Sequence, residues 1–130
     1  MTVAECIETP TEFRRYTIAA GAVIPIGTLL ELEDVNTATA SDTDTNPFAG
    51  IAWEESTATS KMTEIVAALN GVWDIKCTAA AIACGEIVNV GGANLIVKAD
   101  AAAVLVGSTV GKALQAGNDT VIRTAVGRLV

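Results

Sequence analysis

One pattern in this chain occurs twice, and it restricts the fold more than any other feature. Ala22-Val23-Ile24-Pro25-Ile26-Gly27-Thr28-Leu29-Leu30-Glu31-Leu32 passes from an apolar entry through a glycine turn into an apolar strand. The same order returns at residues 80–90, displaced by 58 residues without a gap. Ile24 then aligns with Ile82, Gly27 with Gly85, Leu30 with Val88 and Leu32 with Val90. Two more pairs follow in order. Phe48-Ala49-Gly50-Ile51-Ala52 aligns with Thr109-Val110-Gly111-Lys112-Ala113 at a displacement of 61, and Leu69-Asn70-Gly71-Val72 with Ala125-Val126-Gly127-Arg128 at 56. Three matches in one order, with small changes in loop length, predict a duplicated β unit of roughly sixty residues.

Between these anchors the chain reads as short strands separated by turns. Strands are predicted at residues 15–20, 28–33, 38–40, 47–55, 63–69, 72–77, 87–90, 95–98 and 121–126, with a further one in the Gly111 repeat. Asn70-Gly71 between two apolar runs predicts a tight type I′ hairpin, which needs positive φ at both residues. Single helical turns are conceivable at 78–83 and 99–103, and turns are expected at 91–94 and 117–119. About ten short strands with no long helix predict an all-β barrel or sandwich. The domain reading is an N-terminal arm over residues 1–12 and one β domain over 13–130, with pseudo-repeats at about 15–76 and 77–130.

Composition narrows the core and the chemistry. Hydrophobic residues make up 51% of the chain but aromatics only 4%, so the core must be built from small and aliphatic side chains. Each aromatic is then a candidate anchor, and Trp53 and Trp73 suit either the core or an interface. The net charge of −7 argues against a nucleic-acid partner, because phosphate binding needs clustered Lys and Arg. Arg14-Arg15 is the one adjacent basic pair. The longest nearly apolar stretch, 18–30, is too short to span a bilayer and is broken by Gly21, Pro25 and Gly27. No basic start followed by an apolar run marks a secretory leader, so a soluble protein made in a cytoplasm is expected.

Catalytic patterns are missing. The chain has no His, which removes the usual base of a nucleophilic triad. It has no phosphate-cradling loop of the GxxxxGK[ST] type. Cys6, Cys77 and Cys84 form no CxxC pair and read as free thiols, with a Cys77–Cys84 bridge conceivable. Asp42 and Asp44 lie in a polar loop that lacks the glycine and closing glutamate of a calcium loop. Glu31/Glu33 and Glu54/Glu55 read as solvated strand edges. No enzyme activity, cofactor or metal is expected. A polar N-terminal arm on a compact β body suits a protein whose role is attachment.

The order of motifs AAGAVIPIGTLLEL, NPFAGIAWEE, TEIVAALNGVWDIK, AIACGEIVNVGG, STVGKAL and VIRTAVG, over roughly residues 15–127, resembles the capsid cement (head decoration) proteins of tailed viruses. The resemblance implies a structural protein on the outer surface of the expanded capsid. It would be synthesised in the host cytoplasm, commonly act as a homotrimer, and clamp neighbouring major capsid protein subunits. An arm reaching over the capsid would use Val3, Cys6 and Ile7, with Phe13 and Tyr16 at its root. The I-x-x-G-x-x-[LV] strand also resembles β-clip modules, so a carbohydrate-binding module is the alternative, followed by a β domain of a tail or fibre assembly.

Overall fold

A computed structural model describes residues 4–41, 46–77, 81–91, 95–99, 107–117 and 121–127. The described residues form eleven strands, most of them on alternating or doubly apolar runs: β1 (Glu5–Glu8), β2 (Phe13–Thr17), β3 (Leu29–Asp34), β4 (Thr37–Ala40), β5 (Phe48–Ala52), β6 (Glu64–Ala68), β7 (Gly71–Lys76), β8 (Ile87–Val90), β9 (Ile96–Lys98), β10 (Thr109–Ala113) and β11 (Val121–Val126). No helix occurs among the described residues. The chain is all-β, as its pattern predicts. Val3, the Asp42–Asp44 loop, residues 78–80 of the first helical turn, most of the second (100–103), most of the 91–94 turn and residues 118–119 lie outside the described residues.

The first unit is a closed barrel in the order β2-β4-β3-β5-β6. The second is part of a six-stranded sheet, β1-β7-β11-β10-β8-β9. If β2 is matched with β7, β3 with β8, β4 with β9, β5 with β10 and β6 with β11, the two orders coincide. Details repeat as well. Gly27 N–H donates to Ala52 O and Ala52 N–H to Thr28 O, both at 2.9 Å; Gly85 donates to Ala113 and Ala113 to Glu86, both at 2.8 Å. Isolated bridges join Ile24 to Ser56 and Ile82 to Gly117 at matching places. The expected boundary between 76 and 77 therefore moves: β7, residues 71–76, opens the second unit, because it pairs with β11 and not with the first barrel.

That pairing also overturns the Asn70-Gly71 hairpin. β6 pairs with β2 and β5, whereas β7 pairs with β1 and β11, so the two strands flanking the dipeptide enter different sheets. Gly71 has φ +102°, but Asn70 is not among the residues with positive φ, as a type I′ turn would require. Asn70 instead fastens a neighbouring segment. Its Oδ1 accepts the Thr11 N–H at 2.8 Å and the Glu12 N–H at 3.1 Å, and its Nδ2 donates to Thr11 Oγ1 at 2.8 Å. These bonds hold the link between β1 and β2 across the β6–β7 junction.

Two buried clusters explain why strands here read as apolar runs rather than strict alternation. Tyr16, Ile18, Ile24, Leu30, Ala38, Ala49, Ala52, Ile65 and Ala67 fill the barrel. Four of these nine are alanines, which suits the small interior of a five-stranded barrel. Leu29, Ile51 and Ala68 point outward from the same strands and join the second core, with Trp73, Ile75, Val88, Val90, Val110 and Ile122. Both faces of β3 and β5 are thus covered, and adjacent residues such as Leu29 and Leu30 are both fully buried.

Candidate functional site

β1 is not a detached arm. It lies antiparallel on β7, with Glu5 opposite Asp74, Cys6 opposite Trp73 and Glu8 opposite Val72. Ala4 is buried, and its N–H donates to Gly27 O at 2.9 Å. The physical cause is the open edge of β7, whose backbone groups need partners. A polar segment with few apolar residues is ordered here by main-chain hydrogen bonds, which its side chains do not advertise.

Docking of β1 creates an apolar groove of about 810 Å³ lined by Ala4, Glu5, Cys6, Ile26, Trp53 and Trp73. Trp73 is its floor. This side chain is 1% exposed, and its indole N–H donates to Asn70 O at 3.1 Å. Trp53 is the wall, 38% exposed, standing edge-on to Trp73 with ring centroids 6.0 Å apart. Phe13 continues the row beyond Trp53 at 5.3 Å with its ring tilted by 59°, and is itself 44% exposed. Ile26 sits between Pro25 and Gly27 in a turn and is 53% exposed. Such aromatic geometry is favourable by about 1 kcal/mol per pair beyond area burial. An exposed row of this kind concentrates binding energy where a partner excludes water.

The anticipated contact residues separate on this surface. Cys6 is half-buried in the groove, and burial raises its thiol pKa above the ordinary value. Ile7 is exposed on β1. Phe13 and Trp53 share the aromatic row. Tyr16 belongs elsewhere: it is buried in the barrel and its hydroxyl donates to Ala49 O at 2.9 Å. Burial raises the Tyr16 pKa, opposed by the Arg14 guanidinium 5.7 Å from its ring centroid. Tyr16 is therefore a core residue and no root of an arm. Trp73 anchors the core, and Trp53 alone of the two tryptophans is open to a partner.

Two carboxylates depart from the solvated strand edge their positions imply. Glu31 is 3% exposed and accepts from Asn46 Nδ2 at 3.0 Å. Glu54 accepts the Val66 N–H at 2.9 Å. All three cysteines are free, so no Cys77–Cys84 bridge forms.

Ala4, Glu5 and Ile26 line the groove without having been singled out in the sequence. Ile26 carried a usable signal, because a large apolar residue between Pro and Gly sits in a turn that cannot bury it. Ala4 carried none. No family model matches the chain, and no curated protein matches it.

Proposed function

We propose that this protein is a structural component of a tailed-virus capsid. It binds the outer surface of the assembled, expanded shell and clamps neighbouring major capsid protein subunits, as a homotrimer on the shell. The observation that carries the reading is the half-exposed aromatic row Phe13–Trp53 beside an apolar groove on a double β body. A permanent clamp needs apolar area held in place before binding, so that little conformational entropy is lost on contact. Many copies on one shell then add weak contacts into a large total stabilisation.

The test is co-sedimentation with expanded shells lacking the protein. Saturable binding of the full chain, weakened about tenfold or more by Trp53→Ala, is the expected result. Failure of the folded full chain to bind sinks the proposal for that shell. Removal of residues 1–11 is a poor probe of an arm, because it also strips β1 from β7 and uncovers Trp73.

A carbohydrate-binding reading rests on the same exposed pair, since sugars stack on aromatic faces. The 59° tilt between Phe13 and Trp53 gives no flat platform for one sugar ring, which favours the shell reading.

A further inference from the structure

β1 is the last strand of the six-stranded sheet. β7 covers one of its edges, and among the described residues no strand pairs with the other. The Ala4 N–H turns away from β7 and donates to Gly27 O at 2.9 Å, and a Cβ at Gly27 would overlap the Ala4 carbonyl. Backbone groups alternate between the two edges of a strand, so the Cys6 N–H and C=O, two residues on, point the same outward way. The register slips between Cys6 and Glu8, which ends the regular edge there. The apolar groove opens along this edge, since Ile26, the neighbour of Gly27, lines it together with Ala4, Cys6 and Trp53.

Side chains alternate between the faces as well, so the Glu5 carboxylate turns to the face opposite the Cys6 thiol, at the rim of the groove. Its cross-strand neighbour is another acid, Asp74, which already accepts two hydrogen bonds from Arg123, at 3.1 and 3.3 Å. Among the described residues Glu5 has no ion pair. β1 therefore presents an outward N–H and C=O, an apolar face and an uncompensated negative charge. The first unit has no second surface of this kind. Ala52 pairs with Ala67 and Ala113 with Thr124, a register that sets Arg14 of β2 where Trp73 stands in β7.

We propose that the outer edge of β1 takes one more strand: an extended segment of another chain with a large apolar residue between two basic ones. Its main chain bridges to Cys6, in the manner of strand addition to a free sheet edge. The apolar side chain enters the groove beside Trp53 and Ile26, where the partner excludes water. The basic neighbours fall on the opposite face, one of them beside Glu5, and opposite charges at paired strand positions attract. A single bridge gives few main-chain bonds, so the apolar anchor supplies most of the affinity and the flanking charge selects the segment. For the identity of the partner this inference rests on the shell reading, in which the segment belongs to the major capsid protein.

No shell is needed to test this edge, so its failure and that of the shell reading are distinguishable. The probe is a fluorescent peptide, Thr-Lys-Leu-Lys-Thr, titrated into the intact protein and followed by anisotropy. Saturable binding is expected, weakened about tenfold by Trp53→Ala. Methylation of the peptide's leucine N–H, which removes one main-chain donor, is expected to weaken it about fivefold. Glu5→Lys reverses the preference, so that Thr-Glu-Leu-Glu-Thr becomes the better ligand. Trp53 and Glu5 both have exposed side chains, and substitution at such positions leaves the fold intact. Absence of saturable binding overturns the proposal, and so does binding that ignores the N-methyl group or the charge at residue 5. Peptide binding of the expected kind without shell binding would sink the shell reading alone.

Discussion

The two halves of this molecule share one strand order and end differently. In the first, β4 reaches β2 at Thr17–Thr37 and the sheet closes into a barrel. In the second, β9 is three residues long and meets the end of β7 only at the Cys77–Ile96 bridge, while β1 lies along Val72–Asp74. A repeated pattern thus specifies the interior of a unit but not its edges. The edge is decided by what else lies within reach: β4 and β9 each meet the first strand of their unit at one place, and the N-terminal segment supplies hydrogen bonds to the rest of β7. The outcome in the first unit is a barrel closed at the Thr17–Thr37 pair. In the second it is a seam whose side chains form the apolar groove.

The largest expected way to break the comparison is at Trp73. It has no aromatic counterpart, since Arg14 occupies the matching place in the barrel. Trp73→Ala is expected to cost about 4 kcal/mol, as for other buried aromatics, and Arg14→Ala well under about 1 kcal/mol, as for a surface position. Urea unfolding measures both, and equal losses would refute the asymmetry.

Gly27 and Gly85 sharpen it further. Both adopt left-handed φ, +86° and +91°, so alanine at either carries a backbone penalty of about 1–2 kcal/mol. Only Gly27→Ala also pushes into Ala4. It is expected to be the more damaging by about 1 kcal/mol or more, and to raise hydrogen exchange at the β1 amides, which Gly85→Ala leaves protected. Equal exchange in both variants would show that β1 does not depend on the Gly27 turn.

The smallest effect concerns the turns themselves. Pro25 has no N–H, and Thr28 Oγ1 donates to Pro25 O at 2.7 Å. Ala83, its counterpart, does have an N–H, and Glu86 Oε1 accepts it at 2.6 Å. Glu86 also pairs with Lys98 at 2.7 Å. The Lys98 hydrogen bond first, and the Ala83 N–H second, hold the Glu86 carboxyl below its ordinary pKa. Because the folded value is the lower one, its contribution is present above the ordinary carboxylate range and is lost as pH falls through the depressed value. Melting temperature against pH should therefore fall more in acid for the native chain than for Glu86→Gln, with the two curves converging there. Parallel curves would remove Glu86 from the account.

The fold class and the first two matches of the duplicated unit were legible because they rest on local rules; the third was out by one residue, since strand register puts Ala68, not Leu69, at the place of Ala125. Gly27 and Gly85 mark left-handed turns, and the apolar runs after them mark strands. The candidate groove was legible only in pieces. Trp53, Trp73, Phe13 and Cys6 stood out as scarce residue types, but their assembly depends on β1 crossing to β7, and Tyr16 went the other way into the barrel. Asn70-Gly71 shows the limit most clearly: a dipeptide that favours a hairpin lies between strands claimed by different sheets.

By itself, then, the sequence determined the strand-and-turn alphabet, its twofold repetition and the small-residue core, because periodicity and glycine act over a few residues. Tertiary structure decided which unit closes, where the N-terminal segment docks and which tryptophan stays exposed. Those outcomes depend on which distant edge offers unpaired backbone groups, a quantity that no stretch of neighbouring residues encodes.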